Sequence, residues 1–199
     1  MDQPFIFKYK PKILSEFECS SDFITLMKTF INMDYLNLIL LGESGSGKTV
    51  MVDALIKEYY KEHYNSNNIL SINSLKEQGI SYYRTEVKIF CQTTSSIHNK
   101  KKIVIINDID TINDQSQQVF RNFIDKYEKN VHFLITCCNI NKVIDTLQSR
   151  LTIIKLEQVT PEKITNIINK IISIENIFIS DEVKKYIIVI SNNSIRTVI

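Results

Sequence analysis

The stretch GESGSGKT at residues 42–49 decides the fold of this chain. It matches the phosphate-binding pattern G-x-x-x-x-G-K-(S/T) at every fixed position. The apolar run LNLILL at 36–41 precedes it and predicts a buried strand, and VMVDALIKEYYKEHY at 50–64 follows it and predicts a helix. Because a phosphate-binding loop connects a strand to a helix, this context fits a nucleotide site. The alternative is a turn rich in glycine and serine that only caps the helix.

Glycine supplies the chemistry that this loop needs. Three of the four glycines of the chain lie here, where they let backbone N–H groups face phosphate oxygens. The N-terminus of the following helix adds a partial positive charge. We expect Lys48 to reach the β- and γ-phosphates of ATP and the Thr49 hydroxyl to ligate Mg²⁺. The predicted nucleotide contacts of the loop are Gly42, Glu43, Ser44, Gly45, Ser46, Gly47, Lys48, Thr49 and Val50.

A second acidic element is expected at the end of a neighbouring buried strand, where it holds Mg²⁺ through water and activates the attacking water. KIVIINDID at 102–110 fits that position. An Asp followed by a Glu is usual there, but this chain has Asn107 and Asp108. Asn107 brings no charge and Asp108 is one methylene shorter than Glu, which puts hydrolysis in question but not ATP binding. The alternative is a polar strand end in which Asp110 caps a helix.

Strand and helix patterns alternate along the first three quarters of the chain, which predicts an α/β fold with a parallel sheet covered by helices. Beyond the elements beside the loop, the patterns predict strands at 69–73, 102–106, 131–137 and 152–156, and helices at 81–93, 116–128 and 142–149. After Leu156 two amphipathic helices at 161–174 and 181–190 follow, the first with Thr160 as N-cap. We therefore expect a nucleotide-binding domain at 1–157 and a small helical subdomain at 158–199, which ends within a further helix.

Composition sets the broad class of the protein. The chain has 199 residues, 44% of them hydrophobic and 23% charged, which is typical of a folded globular protein. The net charge of +2 is too balanced to indicate a nucleic-acid or membrane partner by itself. No apolar run approaches the roughly 20 residues of a membrane helix, and the N-terminus lacks the apolar core of an export signal. The four cysteines lack zinc-like spacing, so we expect mostly buried, reduced thiols in an intracellular protein.

Further segments resemble the small subunits of replication factor C, the sliding-clamp loader of the AAA+ superfamily. The resemblance covers nearly the whole chain, in order and at matching separations. It rests on KYKPKILSEF at 8–17, NSLKEQGISYYRTEVKIF at 73–90, SQQVFRNFID at 116–125, Cys138–Asn139, QSRL at 148–151 and SNNSIRTVI at 191–199. It implies an AAA+ P-loop NTPase with a five-stranded parallel sheet flanked by helices, followed by a helical lid subdomain. The chain departs from the family at residues 107 and 108, where Asn and Asp stand in place of the family's Asp and Glu.

The resemblance also implies roles for individual residues. Tyr9, Pro11 and Lys12 match the N-terminal motif that lies near adenine. Asn139 matches sensor 1, which orients the attacking water or touches the γ-phosphate. Arg150 matches the arginine finger, which acts in trans on the neighbouring subunit's nucleotide, and Arg196 matches sensor 2, which reaches from the lid to the phosphates of its own subunit. The alternative for each arginine is a solvated surface cation.

DNA contact is implied by the same resemblance. The family tracks the duplex backbone from the segments that contain Arg84, Lys88 and Arg121. The spacing of Arg84 and Lys88 predicts that they share one helix face. Phosphate contacts of this kind carry position rather than sequence, and they weaken with salt. The alternative is that these helix faces are merely solvated.

The resemblance therefore implies an ATP- and Mg²⁺-dependent subunit that opens a sliding clamp and loads it on primer–template DNA. Asp108, Asn139, Arg150 and Arg196 are its expected catalytic residues, and Thr49, Asn107 and Asp108 its expected metal contacts. The implied partners are other clamp-loader subunits in a hetero-oligomeric ring, a pentamer, together with the clamp and the DNA backbone; no membrane is expected. The implied location is intracellular, at sites of DNA replication in a nucleus or a viral replication compartment.

Two other functions stay open at this point. One is a structural ring subunit that binds nucleotide but is impaired in hydrolysis, and the other is a different AAA+ ATPase of DNA replication or repair. The sequence given does not include the family's C-terminal collar domain, so, if the natural protein also lacks it, we expect this chain to assemble poorly by itself.

Overall fold

The computed structural model describes residues 3–73, 83–192 and 194–199. The predicted helix at 81–93 therefore begins outside the described residues, and half of the family-like segment at 73–90 also lies there. From residue 83 onward that region forms a π-helical turn, Tyr83–Val87, which continues into a short α-helix.

A five-stranded, all-parallel sheet forms the centre of the fold, which confirms the predicted α/β class. Its strand order is β2-β3-β4-β1-β5. The strands are β1 (Leu38–Leu41), β2 (Ile69–Asn73), β3 (Lys102–Asn107), β4 (Val131–Cys137) and β5 (Thr152–Lys155). The first strand begins two residues later than its apolar run because Asn37 instead receives a hydrogen bond from the Phe133 N–H on its side-chain oxygen, 2.9 Å away.

Helices cover both faces of the sheet and form the C-terminal part of the described chain. They are α1 (Phe5–Lys8), α2 (Ser21–Asn32), α3 (Lys48–Tyr60), α4 (Lys88–Gln92), α5 (Asp114–Tyr127), α6 (Asp145–Gln148), α7 (Pro161–Glu175), α8 (Asp181–Ser191) and α9 (Ile195–Val198). Sequence analysis did not predict α2, although the Ser20 hydroxyl caps it by accepting from the Phe23 N–H. None of the helices in the described ranges is long and apolar enough to cross a membrane.

The core lies on both faces of the sheet because neighbouring strand residues point to opposite sides. One face packs against α2 and α3 through Leu38, Leu40, Ile103, Ile105 and Leu134. The other packs against α4, α5 and α6 through Ile39, Val104, Ile106, Phe133 and Ile135. The apolar runs therefore read as continuous because both faces are covered.

Strand order determines where a site can form. All strands run in one direction, so their carboxyl ends meet at a single edge of the sheet. The ends of β1 and β3 flank the end of β4, which brings the segment after Leu41 close to the segment after Asn107. The predicted phosphate loop and the predicted acidic element consequently face the same space.

A buried polar cluster lies at the opposite end of β4, around His132, which is fully buried. The Leu36 N–H lies 3.4 Å from Nδ1 of His132, so Nε2 carries the proton and lies 3.3 Å from Oδ1 of Asp34. The Tyr59 hydroxyl donates to the same Asp34 oxygen at 2.6 Å. Burial, with a smaller effect from the Lys101 ammonium, lowers the pKa of His132 from 6.5 to about 4.

This cluster predicts a loss of stability in mild acid. A histidine whose pKa is lowered on folding binds protons mainly in the unfolded chain, so stability falls as the pH drops from 6.5 towards about 4. We expect the free energy of unfolding to fall by about 2 kcal/mol between pH 7 and pH 5 from this group. Urea unfolding at both pH values measures it. His132→Gln should remove most of that difference, whereas His98→Gln, at an exposed position, should keep it. Equal pH dependence in all three proteins would contradict the assignment.

Candidate nucleotide-binding site

The glycine-rich loop connects β1 to α3, as predicted from its sequence. Gly45 has φ 77° and Gly47 has φ 95°, which a residue with a Cβ adopts only under strain. Gly47 is the residue before the first turn of α3, so the loop delivers its backbone to the helix N-terminus. The arrangement is the one that favours an anion at this position.

Lys48 lies at the mouth of the loop. Its ammonium donates to the carbonyl oxygens of Gly42 and Glu43, at 2.9 Å each, and lies 3.1 Å from Sγ of Cys138. The residue is only 7% exposed. No carboxylate in the described part of the chain pairs with this buried cation, which is therefore well suited to bind an incoming phosphate.

Two buried polar atoms at the same edge of the sheet are without partners. Among the residues that the structure describes, neither Ser46 Oγ nor Asn107 Oδ1 makes a hydrogen bond. Buried polar atoms normally find partners, so the Ser46 hydroxyl, which borders the cavity described below, is open to a ligand; Asn107 does not border that cavity. An amide oxygen at the end of β3 and a hydroxyl at Thr49, together with phosphate oxygens, fit Mg²⁺, which keeps several waters and needs few protein ligands.

Asp108 follows β3 and borders the same cavity. It has φ 50° and ψ 54°, a left-handed conformation that costs energy in a residue other than glycine. Its N–H donates to Thr136 Oγ1 at 3.0 Å. Asp110 does not cap the next helix, since Asn113 does, by accepting from the Ser116 N–H at 2.9 Å. Asp110 instead accepts from backbone N–H groups after β4, which include that of Asn139 at 3.1 Å.

One cavity of about 600 Å³ joins most of the predicted site. The residues that border it come from the N-terminal segment, the glycine-rich loop, the segments after β3 and β4, and the C-terminal part of the chain. They include Tyr9, Pro11, Lys12, Ser44, Gly45, Ser46, Gly47, Lys48, Thr49, Val50, Asp108 and Arg196. The structure therefore places the N-terminal segment and the C-terminal helices around the phosphate-binding loop.

The C-terminal helices contact the loop directly. The Ile195 N–H donates to the carbonyl oxygen of Gly45 at 3.2 Å. A Cβ on Gly45 would clash with the Ser194 hydroxyl, so this glycine is required for close approach as well as for its φ angle. Sequence reasoning missed this contact, which sets the start of the helix that carries Arg196 beside the loop.

Asn139 is not among the residues that border the cavity. Its side-chain oxygen accepts from the Asn141 N–H at 3.0 Å and caps a short 3₁₀ turn on an exposed loop. The preceding Cys138 borders the cavity instead. Cys91 and Cys137 are buried, Cys19 is partly buried and Cys138 is exposed.

Arg150 lies away from the cavity. Its Nε donates to Asp125 Oδ1 at 2.6 Å, and its Nη1 donates to the Thr146 carbonyl and to Ser149 Oγ, both at 2.9 Å. The side chain is 31% exposed. It therefore does not contact the nucleotide site of its own chain in this arrangement. Its action on a neighbouring subunit's nucleotide stays a prediction.

The three predicted DNA contacts lie in three different elements. Arg84 lies in the π-helical turn and Lys88 begins α4, and both are exposed. Arg121 is partly buried on α5, where its Nε lies 3.1 Å from Asp125 Oδ2. DNA binding by these residues stays a prediction.

Comparison with known proteins gives the context of this site. The sequence profile described as "ATPase family associated with various cellular activities (AAA)" matches residues 38–159. Replication factor C subunit 5 of Mus musculus is 29% identical over 97% of this chain and 57% of its own length. Replication factor C subunit 3 of Saccharomyces cerevisiae is 29% identical over 98% and 58%. The chain thus spans a little under three fifths of these curated relatives.

An archaeal protein and a solved structure extend this pattern. The replication factor C small subunit of Methanococcus maripaludis is 28% identical over 100% of this chain and 63% of its own length. The structure of RuvB, a Holliday junction branch migration motor of Thermotoga maritima, superposes with a TM-score of 0.72 at 16% identity. It covers 96% of this chain and 62% of the motor, and at this identity it supports the fold alone.

Proposed function

The chain belongs to the AAA family of ATPases, and from that membership we propose that it is an ATP-binding subunit of a DNA sliding-clamp loader. In this role it uses ATP binding and hydrolysis to open the clamp and load it on primer–template DNA. The observation that carries the proposal is the cavity that joins the glycine-rich loop, the Tyr9–Lys12 segment and the helix of Arg196. The relatives named replication factor C, which match along nearly the whole chain, favour a clamp loader among AAA functions.

ATP binding follows from the charge and geometry of the cavity. Backbone N–H groups of the loop and the start of α3 face the triphosphate, and Lys48 moves from its two carbonyl partners to the β- and γ-phosphates. Thr49 and Asn107 would hold Mg²⁺, Asn107 through a water molecule. When bound, Mg²⁺ neutralises phosphate charge and orients the phosphates for transfer. Arg196 reaches the phosphates from the C-terminal helices and thereby makes their position depend on the nucleotide.

Hydrolysis requires groups from this chain and from a neighbour in a ring. Asp108 accepts the proton of the attacking water, and Asn139 orients that water after its loop turns towards the cavity. Arg150 does not border the cavity of its own chain. It acts in trans, where its guanidinium stabilises the charge on the neighbour's γ-phosphate. The partners are therefore other clamp-loader subunits, the clamp and the DNA backbone. The chain acts at sites of DNA replication, in a nucleus or a viral replication compartment.

Asn107 favours a second candidate, a ring subunit that holds ATP structurally and hydrolyses it poorly. The double change Asn107→Asp with Asp108→Glu distinguishes the two. If the natural pair is impaired, the double variant should raise the hydrolysis rate by about 100-fold, the scale of a restored general base. We propose the competent enzyme and expect a change of less than about fivefold. Steady-state ATPase assays of the reconstituted complex measure the rate, with Asp114→Glu as a control for an acidic change nearby.

The experiment that tests the whole proposal is an ATPase assay of the complete complex, with and without clamp and primed DNA. A clamp loader should turn over ATP several times faster when both are present. Stimulation by a branched DNA junction, without any effect of the clamp, would instead indicate another AAA ATPase of DNA repair.

A further inference from the structure

The proposed ATP cavity is lined by two chemically different groups of residues. The glycine-rich loop and Lys48 form the group that suits phosphates. The Tyr9 ring and a row of isoleucines on α7, Ile167, Ile171 and Ile174, form the second group. An apolar wall that includes an aromatic ring suits a flat base rather than a charged group. Tyr9 consequently lies where the base of a bound nucleotide is expected.

The Tyr9 ring is fixed from two sides. Its hydroxyl donates to Oε1 of Glu175, and the Phe5 ring packs edge-on against it, with 5.6 Å between centroids and 87° between planes. Desolvation, followed by the hydrogen bond to Glu175, raises the pKa of the Tyr9 phenol, so the hydroxyl stays a donor. The Lys8 ammonium lies 2.5 Å from the same Glu175 oxygen. One carboxylate thus receives hydrogen bonds from two successive residues of the N-terminal segment.

Glu175 is the last residue of α7 and does not itself border the cavity. It lies 166 residues from Tyr9, and only 19% of its side chain is exposed. Its position joins the helix that carries the isoleucine row to the segment that carries the aromatic ring. Loss of this carboxylate would remove the hydrogen bonds that join Lys8 and Tyr9 to α7, while the glycine-rich loop would keep its own contacts.

We propose that Glu175 is a positioning residue for the nucleotide base. It holds the Tyr9 ring against the cavity so that the base stacks on a fixed surface, and it keeps α7 closed over that base. The proposal rests on the proposed ATP site and names the part of that site which recognises the base. Phosphate binding does not depend on Glu175, so ligands with and without a base should respond differently to its removal.

The test compares ATP with inorganic tripolyphosphate, each with Mg²⁺, by calorimetric titration of the whole chain. Glu175→Ala should weaken ATP binding by about three- to tenfold, the scale of one ordinary hydrogen bond lost, and leave tripolyphosphate binding unchanged. Tyr9→Phe keeps the ring but removes the same hydrogen bond, so it should have a similar effect on ATP. The two changes together should weaken ATP binding no more than either alone. Glu162→Ala, at an exposed position in the first turn of α7, serves as the control.

The outcomes separate this inference from the proposed function. Equal weakening of ATP and tripolyphosphate by Glu175→Ala would mean general damage to the site and would overturn the positioning role. Unchanged ATP binding in that variant, or additive effects with Tyr9→Phe, would also overturn it. Failure of the natural chain to bind either ligand would remove the nucleotide site, and this inference with it.

Discussion

Lys48→Ala is expected to weaken ATP binding by at least about 100-fold, because the ammonium supplies two or more charge-assisted hydrogen bonds to phosphate. Among the described residues, this ammonium contacts the Gly42 and Glu43 carbonyl groups and the Cys138 sulfur. Titration with a fluorescent ATP analogue measures the affinity. Lys48→Met retains most of the buried volume of the side chain and should give the same loss, which separates charge from packing.

Lys57→Ala is the matched control for this experiment. Lys57 lies in the last turn of the same helix and is exposed, so its removal should leave ATP affinity within about twofold. Unchanged affinity in Lys48→Ala would refute the assignment of the loop as a phosphate site, whatever the control shows.

Arg150→Ala is expected to lower ATP hydrolysis at the neighbouring subunit's site by about 10³-fold or more, the range measured for arginine fingers. ATP binding by this chain should stay the same, because Arg150 does not border its own cavity. The measurement pairs steady-state hydrolysis by the reconstituted complex with nucleotide titration of the isolated chain. The hydrolysis rate of the whole complex should fall by the amount that the neighbouring subunit's site contributes.

Lys129→Ala provides the comparison, since Lys129 is an exposed cation just beyond α5 and carries no predicted role. It should leave the rate of the complex unchanged. A complex with Arg150→Ala that keeps the full rate would contradict the role in trans. It would indicate a structural role for Arg150, through its contacts with Asp125, Thr146 and Ser149.

Local patterns explain how much of the fold follows from the sequence. Strands β2 and β4 lie at the predicted residues because β-branched and other apolar residues dominate both segments, ILSIN at 69–73 and VHFLITC at 131–137. The loop at 42–49 could also be predicted from local sequence, because its glycines and its lysine lie within eight consecutive residues. Helix α2 was missed even though Phe23 and Met27 are buried at helical spacing after the Ser20 cap, a signal that the sequence does carry.

The remaining features depend on contacts between residues far apart in the chain. Nothing near Tyr9 indicates that its hydroxyl meets Glu175, and nothing near Gly45 indicates Ser194. Gln117 is fully buried and joins the loops after β3 and β4 by donating to Ile112 and Lys142 carbonyls, both at 2.9 Å. Such partners depend on how distant elements pack together, and local patterns in the sequence do not reveal them.

The central claim is that ATP binds between the glycine-rich loop and the C-terminal helices. The most direct test is a structure of the chain with Mg²⁺ and a non-hydrolysable ATP analogue. We expect the triphosphate at residues 44–49 with Lys48 turned onto it, Arg196 beside the phosphates and the base against Tyr9. An analogue bound on any other surface, with Lys48 still held by the Gly42 and Glu43 carbonyls, would contradict the account.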